Sequence, residues 1–394
     1  MTTESALFLM KVECPICKTI NEYETLKIGA YTEADRDTDF CPRGITWRNP
    51  RYQAYNPLLF FIATCSNCFY TREYTNSFKE WKDDSYFKTY RLKTIKQKHL
   101  EVLSKADSVI KTIGAELDSN RYPNETAILK LLLAIFDESL NEKADDLDLG
   151  RFYLRIGWLF RDMDRGENPS LQVMKSHMID IDNKFDQLRH ALEQVGVRLN
   201  EIEATVSSQF KDDSVSADVK SLLYPVKDKY NVELASFKEL LSLVDGKAEA
   251  LNLVIGEHKK LALGSSGDDS QPGFHGHKSF YDFLSQLAVY QEGIPLNEKE
   301  ALKYSVEYYI KAFKDSRNIA EGNQQIQASY LIAELSRRIG DYERAKEYFN
   351  TTIRSGQEFI YRHKGDQNRT ALARKILELA IGQGRANLAE LKAG

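Results

Sequence analysis

Four of the five cysteines in this 394-residue chain fall into two close pairs, Cys14 with Cys17 and Cys65 with Cys68. Two residues separate the cysteines of each pair, so one tight turn can present both sulfurs on the same side. Thiolates are soft ligands, and a set of four suits tetrahedral zinc better than it suits a disulfide framework. The spacing therefore predicts a structural zinc site. Redox-active or merely buried thiols are the alternative, and they would leave a short, turn-rich segment without a sufficient core.

Short strands are the elements that must position these cysteines. Each pair follows a β-prone run, Lys11–Glu13 in the first case and Phe60–Thr64 in the second. We therefore expect residues 1–78 to form a small β-rich, zinc-ribbon-like head. The interval between the pairs is longer than in common ribbons, which predicts inserted loops. Cys41 lies in this interval; we expect it to be free or buried, with a fifth thiol near the metal as the alternative.

A family resemblance is carried by four blocks: Cys14-Pro15-Ile16-Cys17, Arg36-Asp37-Thr38-Asp39-Phe40-Cys41, Asn56-Pro57 and Cys65-Ser66-Asn67-Cys68-Phe69-Tyr70. In this order and combination they resemble the N-terminal zinc-ribbon block of a bacterial family known as domain of unknown function 2225. The resemblance implies a bacterial origin, tetratricopeptide-like helices after the ribbon, and no assigned activity. The chain departs from the family pattern by extra residues around Gly44 to Tyr55, by Phe69 where glycine usually follows the last cysteine, and by a long helical segment.

Residues 79–168 and 274–394 have helical periodicity and are predicted to form the two parts of a tetratricopeptide-like stack. The expected helices are Asn124–Glu142, Leu149–Met163, Asn297–Lys314, Ile326–Ile339 and a terminal helix from Thr370 to about Leu391. Such stacks bury a continuous core and leave a concave side for peptides or helices.

Two places match the tetratricopeptide pattern. The first helix of such a repeat requires a large aromatic residue, an aliphatic and small pair, and a second aromatic residue, which here are Tyr153, Ile156, Gly157 and Phe160. The small residue allows the neighbouring helix to approach closely, so we expect Gly157 at a helix contact. A second, partial match follows the turn Gly340-Asp341-Tyr342 and includes Ala345, Tyr348 and Phe349, although Ser329 stands where a large aromatic residue is favoured.

Residues 169–263 are predicted to form an antiparallel coiled-coil hairpin inserted into the helical domain. The first helix carries Leu171, Met174, Met178, Ile181, Phe185, Leu188, Leu192, Val195, Leu199, Ile202 and Val206. The second carries Tyr230, Leu234, Phe237, Leu241, Val244, Ala248, Leu251, Ile255, His258 and Ala262. Alternating steps of three and four residues favour supercoiling, and two such helices joined by a short loop should fold back on each other over a length on the order of 50 Å. Pro225 predicts a kink or a helix start near Tyr224. A binding arm is the favoured interpretation; a spacer or a core-packing pair is the alternative.

The charge balance limits the classes of partner. Fifty-four basic and 58 acidic side chains give a net charge of −4, so no global field favours nucleic acid or an anionic membrane. A local basic segment, Lys88 to Lys98, is interleaved with Tyr86, Phe87 and Tyr90 and could bind a phosphate backbone, although a solvated helix face explains it as well. Nothing in the sequence approaches the length of a membrane span or the pattern of a signal peptide, and the cytoplasm is the expected location.

No pattern of catalytic residues stands out: nucleophile-elbow, zinc-protease and dinucleotide motifs are missing from the sequence. We therefore expect a mainly α protein that acts as a non-enzymatic cytoplasmic adaptor or scaffold with structural zinc. Its protein partners would bind a tetratricopeptide-like groove and the coiled-coil arm, and the coiled coil could also support homo-oligomers. The alternative is a zinc-ribbon protein that binds nucleic acid through Lys88 to Lys98.

Overall fold

The computed structural model describes residues 5–49, 52, 53, 55–164, 169–263, 274–315 and 319–393. The chain divides into two compact units: a main unit of residues 1–169 and 270–394, and a two-helix unit of residues 170–269. Most described residues are helical, and a small antiparallel-strand region lies near the N-terminus. Within the described residues no helix is both long enough and apolar enough to span a membrane.

Among the described residues of the head there are three antiparallel strand pairs. They are β1 (Leu7–Glu13) with β2 (Ile20–Leu26), β3 (Tyr31–Arg36) with β4 (Pro42–Trp47), and β5 (Ile62–Thr64) with β6 (Thr71–Glu73). The register places one cysteine pair in the turn between β1 and β2 and the other in the turn between β5 and β6. The strand pair β3–β4 lies where only loops were expected, so that prediction was wrong.

Helices follow the head and resume after the two-helix unit. The first group is α1 (Asn76–Lys79), a π-helical turn (Phe87–Arg91), α2 (Leu92–Ser104), α3 (Val109–Ala115), α4 (Pro123–Ser139) and α5 (Asp146–Asp164). The later helices, which follow the α6 and α7 of the two-helix unit, are α8 (Phe280–Tyr290), α9 (Glu298–Lys314), α10 (Asn323–Ile339), α11 (Tyr342–Arg362) and α12 (Gln367–Ala393). All five predicted helices are present, with ends shifted by a few residues.

Local sequence explains where these helices begin and end. The side chain of Asn297 accepts a hydrogen bond from the backbone N–H of Glu300, which caps α9. Gly340 ends α10 in the left-handed conformation, and Asp341 then caps α11 by accepting from the N–H of Arg344. The predicted interhelix turn at Gly340-Asp341-Tyr342 is therefore confirmed.

One core joins the head to the helices. Trp47, Leu59 and Phe60 from the head pack in the same buried cluster as Ile128 of α4 and Phe160 of α5. A second buried cluster surrounds the cysteines and includes Phe78, Trp81, Phe87 and Ile95. Because these clusters mix residues from both parts of the chain, the head and the helices form a single compact unit.

The helices of the main unit pack in the order α5, α9, α10, α11 and α12. At the contact of α5 with α9, a Cβ atom added to Gly157 would lie 2.7 Å from Leu302 Cδ2 and 3.8 Å from Ala301 Cβ. The prediction that Gly157 lies where two helices touch is confirmed. The helices α5 and α9 are neighbours although the two-helix unit lies between them in the chain.

The two-helix unit consists of α6 (Pro169–Lys211) and α7 (Ala217–Leu263), which are joined by residues 212–216. Gly196 of α6 lies against Phe237 and Leu241 of α7, and the Tyr230 hydroxyl donates a hydrogen bond to the Leu199 carbonyl. These contacts pair rising residue numbers on one helix with falling numbers on the other, so the helices are antiparallel.

The predicted apolar stripes agree with the structure on α7 but only in part on α6. On α7, Leu234 is buried, and Tyr230, Phe237, Leu241 and Val244 are half-buried, as expected for residues that face α6. On α6, Leu192, Leu199 and Val206 are half-buried as predicted, whereas Leu188, Val195 and Ile202 are between 44 and 48% exposed.

Gly196 explains the difference on α6. Because this residue has no side chain, the ring of Phe237 packs over it, and Gly196 rather than Val195 faces α7 at this level of the helix. Gly196 and Glu203 are half-buried in place of Val195 and Ile202. The seam residues from Leu171 to Phe185 and from Ala248 to Ala262 lie outside the described side chains.

Pro225 lies inside α7 rather than at its start, so the predicted helix start near Tyr224 is wrong. The proline is on the exposed side of the helix, where water can satisfy the carbonyl group that loses its hydrogen bond.

Candidate metal centre

The first cysteine pair lies in a tight turn that ends β1. The N–H of Cys14 donates to the carbonyl of Thr19 over 2.8 Å, and the N–H of Lys18 donates to the carbonyl of Cys14 over 3.0 Å. Lys18 has a φ of 67°, in the left-handed region. This conformation reverses the chain directly after Cys17 and leaves both sulfurs on the inner side of the turn.

The second pair repeats this backbone pattern between β5 and β6. The N–H of Cys65 donates to the carbonyl of Tyr70, and the N–H of Phe69 donates to the carbonyl of Cys65, both over 2.9 Å. Phe69 takes the left-handed position with a φ of 60°. Its ring covers Gly114 of α3 so closely that a Cβ atom there would overlap it. This packing holds a phenylalanine in a backbone conformation that ordinarily favours glycine.

The two turns bring all four predicted ligands together. The Sγ atoms of Cys14, Cys17, Cys65 and Cys68 all lie within 4.8 Å of one another. Cys14 Sγ is 3.7 Å from Cys68 Sγ, and Cys17 Sγ is 3.5 Å from Cys65 Sγ. Sulfurs bound tetrahedrally at about 2.3 Å from a zinc ion would be separated by about 3.8 Å. The spacing fits a four-coordinate thiophilic ion, and all five cysteines are free of disulfides.

The thiols influence one another strongly. Hydrogen bonding to Cys65, together with burial, raises the pKa of Cys14 to about 12. The same hydrogen bond lowers the pKa of Cys65. Hydrogen bonding among the sulfurs therefore stabilises one thiolate at the expense of its neighbours. Ionising all four thiols in this buried space requires a cation to balance the charge.

Asn21 of β2 orders the cluster from one side. Its Nδ2 lies 3.4 Å from Cys65 Sγ and also donates to the carbonyl of Thr19 over 3.0 Å. Its Oδ1 accepts from the N–H and the hydroxyl of Ser66. One buried amide thus ties the first turn to the second and donates to a sulfur that carries negative charge when ionised.

His99 of α2 and Asp137 of α4 fix the second turn from the other side. The Nε2 of His99 is 2.8 Å from the carbonyl of Cys68, and its Nδ1 is 2.6 Å from Asp137 Oδ1. Asp137 Oδ2 also accepts from the N–H of Thr71. Burial alone would lower the pKa of His99, but the hydrogen bond and charge of Asp137 raise it. Sequence reasoning missed this pair, because a lone histidine and a lone aspartate on separate helices give no local signal.

Cys41 lies outside the cluster. Among the described residues, the ligand group at the head contains the four paired cysteines and not Cys41. Cys41 is buried, and its Sγ lies 3.7 Å from the carbonyl of Pro42. Burial and the nearby charge of Asp39 raise the pKa of its thiol to about 12. The prediction of a free or buried cysteine is therefore confirmed.

The block that contains Cys41 has a different role. Asp39 is fully buried, and its two carboxylate oxygens accept from the guanidinium of Arg161 on α5 over 3.2 and 2.6 Å. Trp158 Nε1 donates to the same carboxylate over 3.2 Å. Glu298 of α9 also accepts from Arg161. The loop between β3 and β4 is therefore anchored to α5 and, through Arg161, to α9.

The same loop reaches α10. The hydroxyl of Tyr330 donates to the carbonyl of Thr38 over 2.7 Å, and the hydroxyl of Thr38 donates to Glu334 Oε1 over 2.6 Å. Arg338 donates to the Thr38 hydroxyl and pairs with Asp37. These contacts give a structural reason for the Asp37-Thr38-Asp39 block: it docks the head on the helical stack.

The basic segment between Lys88 and Lys98 packs directly against the head. Phe87 and Ile95 are buried in the cluster that contains the cysteines, and Arg72 of β6 lies over the Phe87 ring at 5.2 Å. Tyr86 and Tyr90 are 63 and 70% exposed. The segment thus presents exposed aromatic rings on the surface next to the candidate metal centre.

Comparison with known proteins yields one family. A family model for uncharacterized proteins conserved in bacteria matches residues 7–195 and 288–371, which together cover more than half of the chain. The match leaves out residues 196–287, which include the end of α6 and the whole of α7. Searches of curated proteins and of solved structures found no match.

Proposed function

The chain belongs to a family of uncharacterized bacterial proteins, domain of unknown function 2225, and we propose that it is a non-enzymatic cytoplasmic adaptor or scaffold. In this proposal a structural zinc ion holds the head. Protein partners bind a tetratricopeptide-like groove and a coiled-coil arm formed by α6 and α7. One observation carries the proposal: the two-helix unit is compact on its own and interrupts the chain between α5 and α9, which pack on each other.

Zinc is the proposed metal because of the donor set. Four thiolates at tetrahedral spacing suit this ion, and a closed four-sulfur site leaves no open position for a substrate. The site is therefore assigned to stability rather than catalysis. A set of reduced cysteines is also typical of the cytoplasm.

The tetratricopeptide-like assignment is supported by how small residues are used in the stack. Gly157 allows α9 to approach α5, and Ala345 is fully buried at the start of α11. Tyr330 and Phe349 supply buried aromatic rings between α10 and α11. Ser329, which replaces an expected aromatic residue, accepts a hydrogen bond from Thr352 on α11. Paired helices with small and aromatic residues at these contacts are what a repeat of this type requires.

We assign the proposed groove to a cavity in the main unit. It has a volume of about 410 Å³ and lies between the β3–β4 pair and helices α5, α9 and α10. Its apolar lining includes Leu154, Trp158, Leu331 and Phe61, and Arg155 lies at its edge over the Phe61 ring. The cavity is also lined by charged and polar side chains, among them Arg36, Arg151 and Asp162. A cavity of this size that combines apolar walls with polar groups is typical of a ligand site. We assign it to an apolar side chain of a partner peptide.

Deleting the two-helix unit tests the adaptor assignment. Asn168 is joined to Gly273 through a short Gly/Ser linker, and the shortened chain is compared with the full chain. The main unit should stay soluble and unfold cooperatively, because α5 and α9 already contact each other. Affinity capture from bacterial lysate, read by mass spectrometry, should lose the partners that bind the arm and keep those that bind the groove.

Two point variants refine this comparison within the full-length chain. Leu234→Asp places a charge at a buried position between α6 and α7 and should remove the same partners as the deletion. Val232→Asp, at an exposed position on the same helix, is the matched control and should not affect packing. An insoluble deletion protein would show that the arm belongs to the core. Unchanged capture after deletion would assign the unit to a spacer.

Nucleic-acid binding is the second candidate function, and one observation favours it. The segment from Lys88 to Lys98 packs on the cysteine cluster through Phe87 and Ile95, so its basic and aromatic groups adjoin the head. Exposed lysines beside Tyr86 and Tyr90 could contact phosphates and stack on bases.

Salt-dependent binding distinguishes this candidate from the first. Retention on DNA or heparin should fall with rising salt, and Lys88→Glu with Lys93→Glu should weaken it and flatten its salt dependence. Lys299→Glu with Lys303→Glu, at exposed positions on α9, is the control with the same change in net charge. Equal effects of the head and control variants, or no retention at low salt, would remove nucleic-acid binding from consideration.

A further inference from the structure

Helix α7 carries a second apolar stripe that does not face α6. Five side chains on it are exposed by 45 to 76%: Val219, Leu222, Val226, Leu240 and Leu243. Together with Lys229, Glu233 and Ser236 between them, they follow one another at alternating steps of three and four residues. We call these eight positions the outer stripe. The spacing is the heptad spacing of a helix that packs on another helix along one side.

The outer stripe is distinct from the side of α7 that contacts α6. The contacts with α6 are made by Tyr230, Phe237 and Leu241, and Leu234 is buried between the helices. No outer-stripe residue belongs to that set. A helix that is apolar on two adjacent sides is typical of one that packs on two neighbours, as in a bundle. Within the described residues, the contacts of α7 account for one of these neighbours, which is α6.

The order of residues in the outer stripe is self-complementary. Reversing the stripe about Asn231 aligns Val219 with Leu243, Leu222 with Leu240, Val226 with Ser236, and Lys229 with Glu233. Two copies of α7 placed antiparallel about a two-fold axis would therefore bring apolar side chains together at both ends. At the centre, each Lys229 would meet Glu233 of the other copy, and this contact would occur twice.

We infer that the outer stripe binds a second copy of this chain, with the two α7 helices antiparallel about a two-fold axis near Asn231. This inference deepens the proposed function by naming one partner of the arm, and it rests only on the arm part of that proposal. An isologous interface requires the same patch to fit itself, and the reversed order of charge supplies that property. Binding to an unrelated partner would not require the outer stripe to be complementary to its own reversed order.

The size of the contact suits a reversible dimer. From Val219 to Leu243 the helix rises about 36 Å at 1.5 Å per residue, which gives a long but narrow contact. Exposed apolar side chains supply its area, and the central charges fix the register and exclude parallel pairing. In a parallel pair, Lys229 would meet Lys229 and Glu233 would meet Glu233.

Charge exchange in the full-length protein tests this arrangement by sedimentation equilibrium over a range of concentrations. The unaltered chain should dimerise. Lys229→Glu alone places Glu against Glu at both central contacts, and Glu233→Lys alone places Lys against Lys. Each should raise the dimer dissociation constant by at least about tenfold at low salt. The double variant Lys229→Glu with Glu233→Lys should restore dimerisation, because the exchanged charges again face each other.

A matched pair of valines supplies the apolar test. Val226, on the outer stripe, and Val232, off it, are 61 and 64% exposed on the same helix. Val226→Asp should abolish the dimer, whereas Val232→Asp should leave it intact. A chain that is monomeric at every concentration would overturn the inference, and so would a double variant that dimerises no better than the single ones. Equal loss in both valine variants would assign dimerisation to another surface. None of these results depends on the capture of other proteins. A failure of the dimer inference is therefore distinguishable from a failure of the adaptor proposal.

Discussion

Gly157→Ala probes a close contact between α5 and α9 in the main unit. An added Cβ would lie 2.7 Å from Leu302 Cδ2 and 3.3 Å from Leu302 Cγ. Leu302 is almost fully buried and cannot move aside freely. Overpacking of this kind costs about 2 kcal/mol. Replacing glycine by alanine within a helix gains about 1 kcal/mol. The net expectation is a loss of about 1 kcal/mol in the free energy of unfolding, and Gly157→Leu should cost more.

Tryptophan fluorescence during urea unfolding is the assay. The three tryptophans, Trp47, Trp81 and Trp158, all lie in the main unit, so the signal does not report on α6 or α7. Gly382→Ala on α12 is the control, because nothing lies within 4 Å of its added Cβ. That variant should gain about 1 kcal/mol from helix propensity alone. The reasoning would be refuted if both alanine variants stabilised the protein equally.

Three further predictions follow from buried polar groups. Asp39→Ala should cost about 3 kcal/mol in urea unfolding, because Arg161 loses its bidentate partner in a buried site; a loss below about 1 kcal/mol would contradict this. Burial lowers the pKa of Lys130 to about 8 in the folded chain. Between about pH 8 and 10.5 the lysine is therefore protonated in the unfolded chain but mostly neutral in the folded chain. The free energy of unfolding should consequently rise with pH across this range. Lys130→Met should be more stable than the native chain at pH 7, and the difference in free energy of unfolding should shrink as pH rises. A difference that does not change with pH would refute the buried charge of Lys130 as its cause. His99→Phe should destabilise the second turn and speed metal loss to a chelator, whereas unchanged loss would mean that this histidine does not support the site.

The cluster of four cysteines could be predicted because the information for it is local. Each Cys-x-x-Cys pair specifies one turn, and the chemistry of four thiolates then requires the two turns to meet. Gly157 could be predicted for a similar reason, since a small residue between aromatic ones marks a close helix contact. In both cases a short sequence pattern specifies the contact that its residues make: a cluster of sulfurs in the first case and a close helix pair in the second.

The contacts that the sequence did not predict are made by residue pairs that are distant in the sequence. Asp39 and Arg161 are 122 positions apart, and His99 and Asp137 are 38 apart, so no periodicity connects them. The stripe on α6 was misplaced at Val195 because the heptad rule favours this residue over Gly196, whereas the ring of Phe237 occupies the space above the glycine. Packing between α6 and α7, rather than the apolar pattern of α6 alone, determines which residues of α6 face α7.

The central claim is that one zinc ion on four thiolates holds the head. Metal analysis of the purified full-length chain, combined with X-ray absorption at the zinc edge, tests it most directly. We predict about one zinc per chain with four sulfur ligands at about 2.3 Å. Cys65→Ser should lose the metal and the order of the head, whereas Cys41→Ser should keep the metal, since Cys41 lies outside the cluster. A metal-free chain whose head remains ordered would contradict the claim.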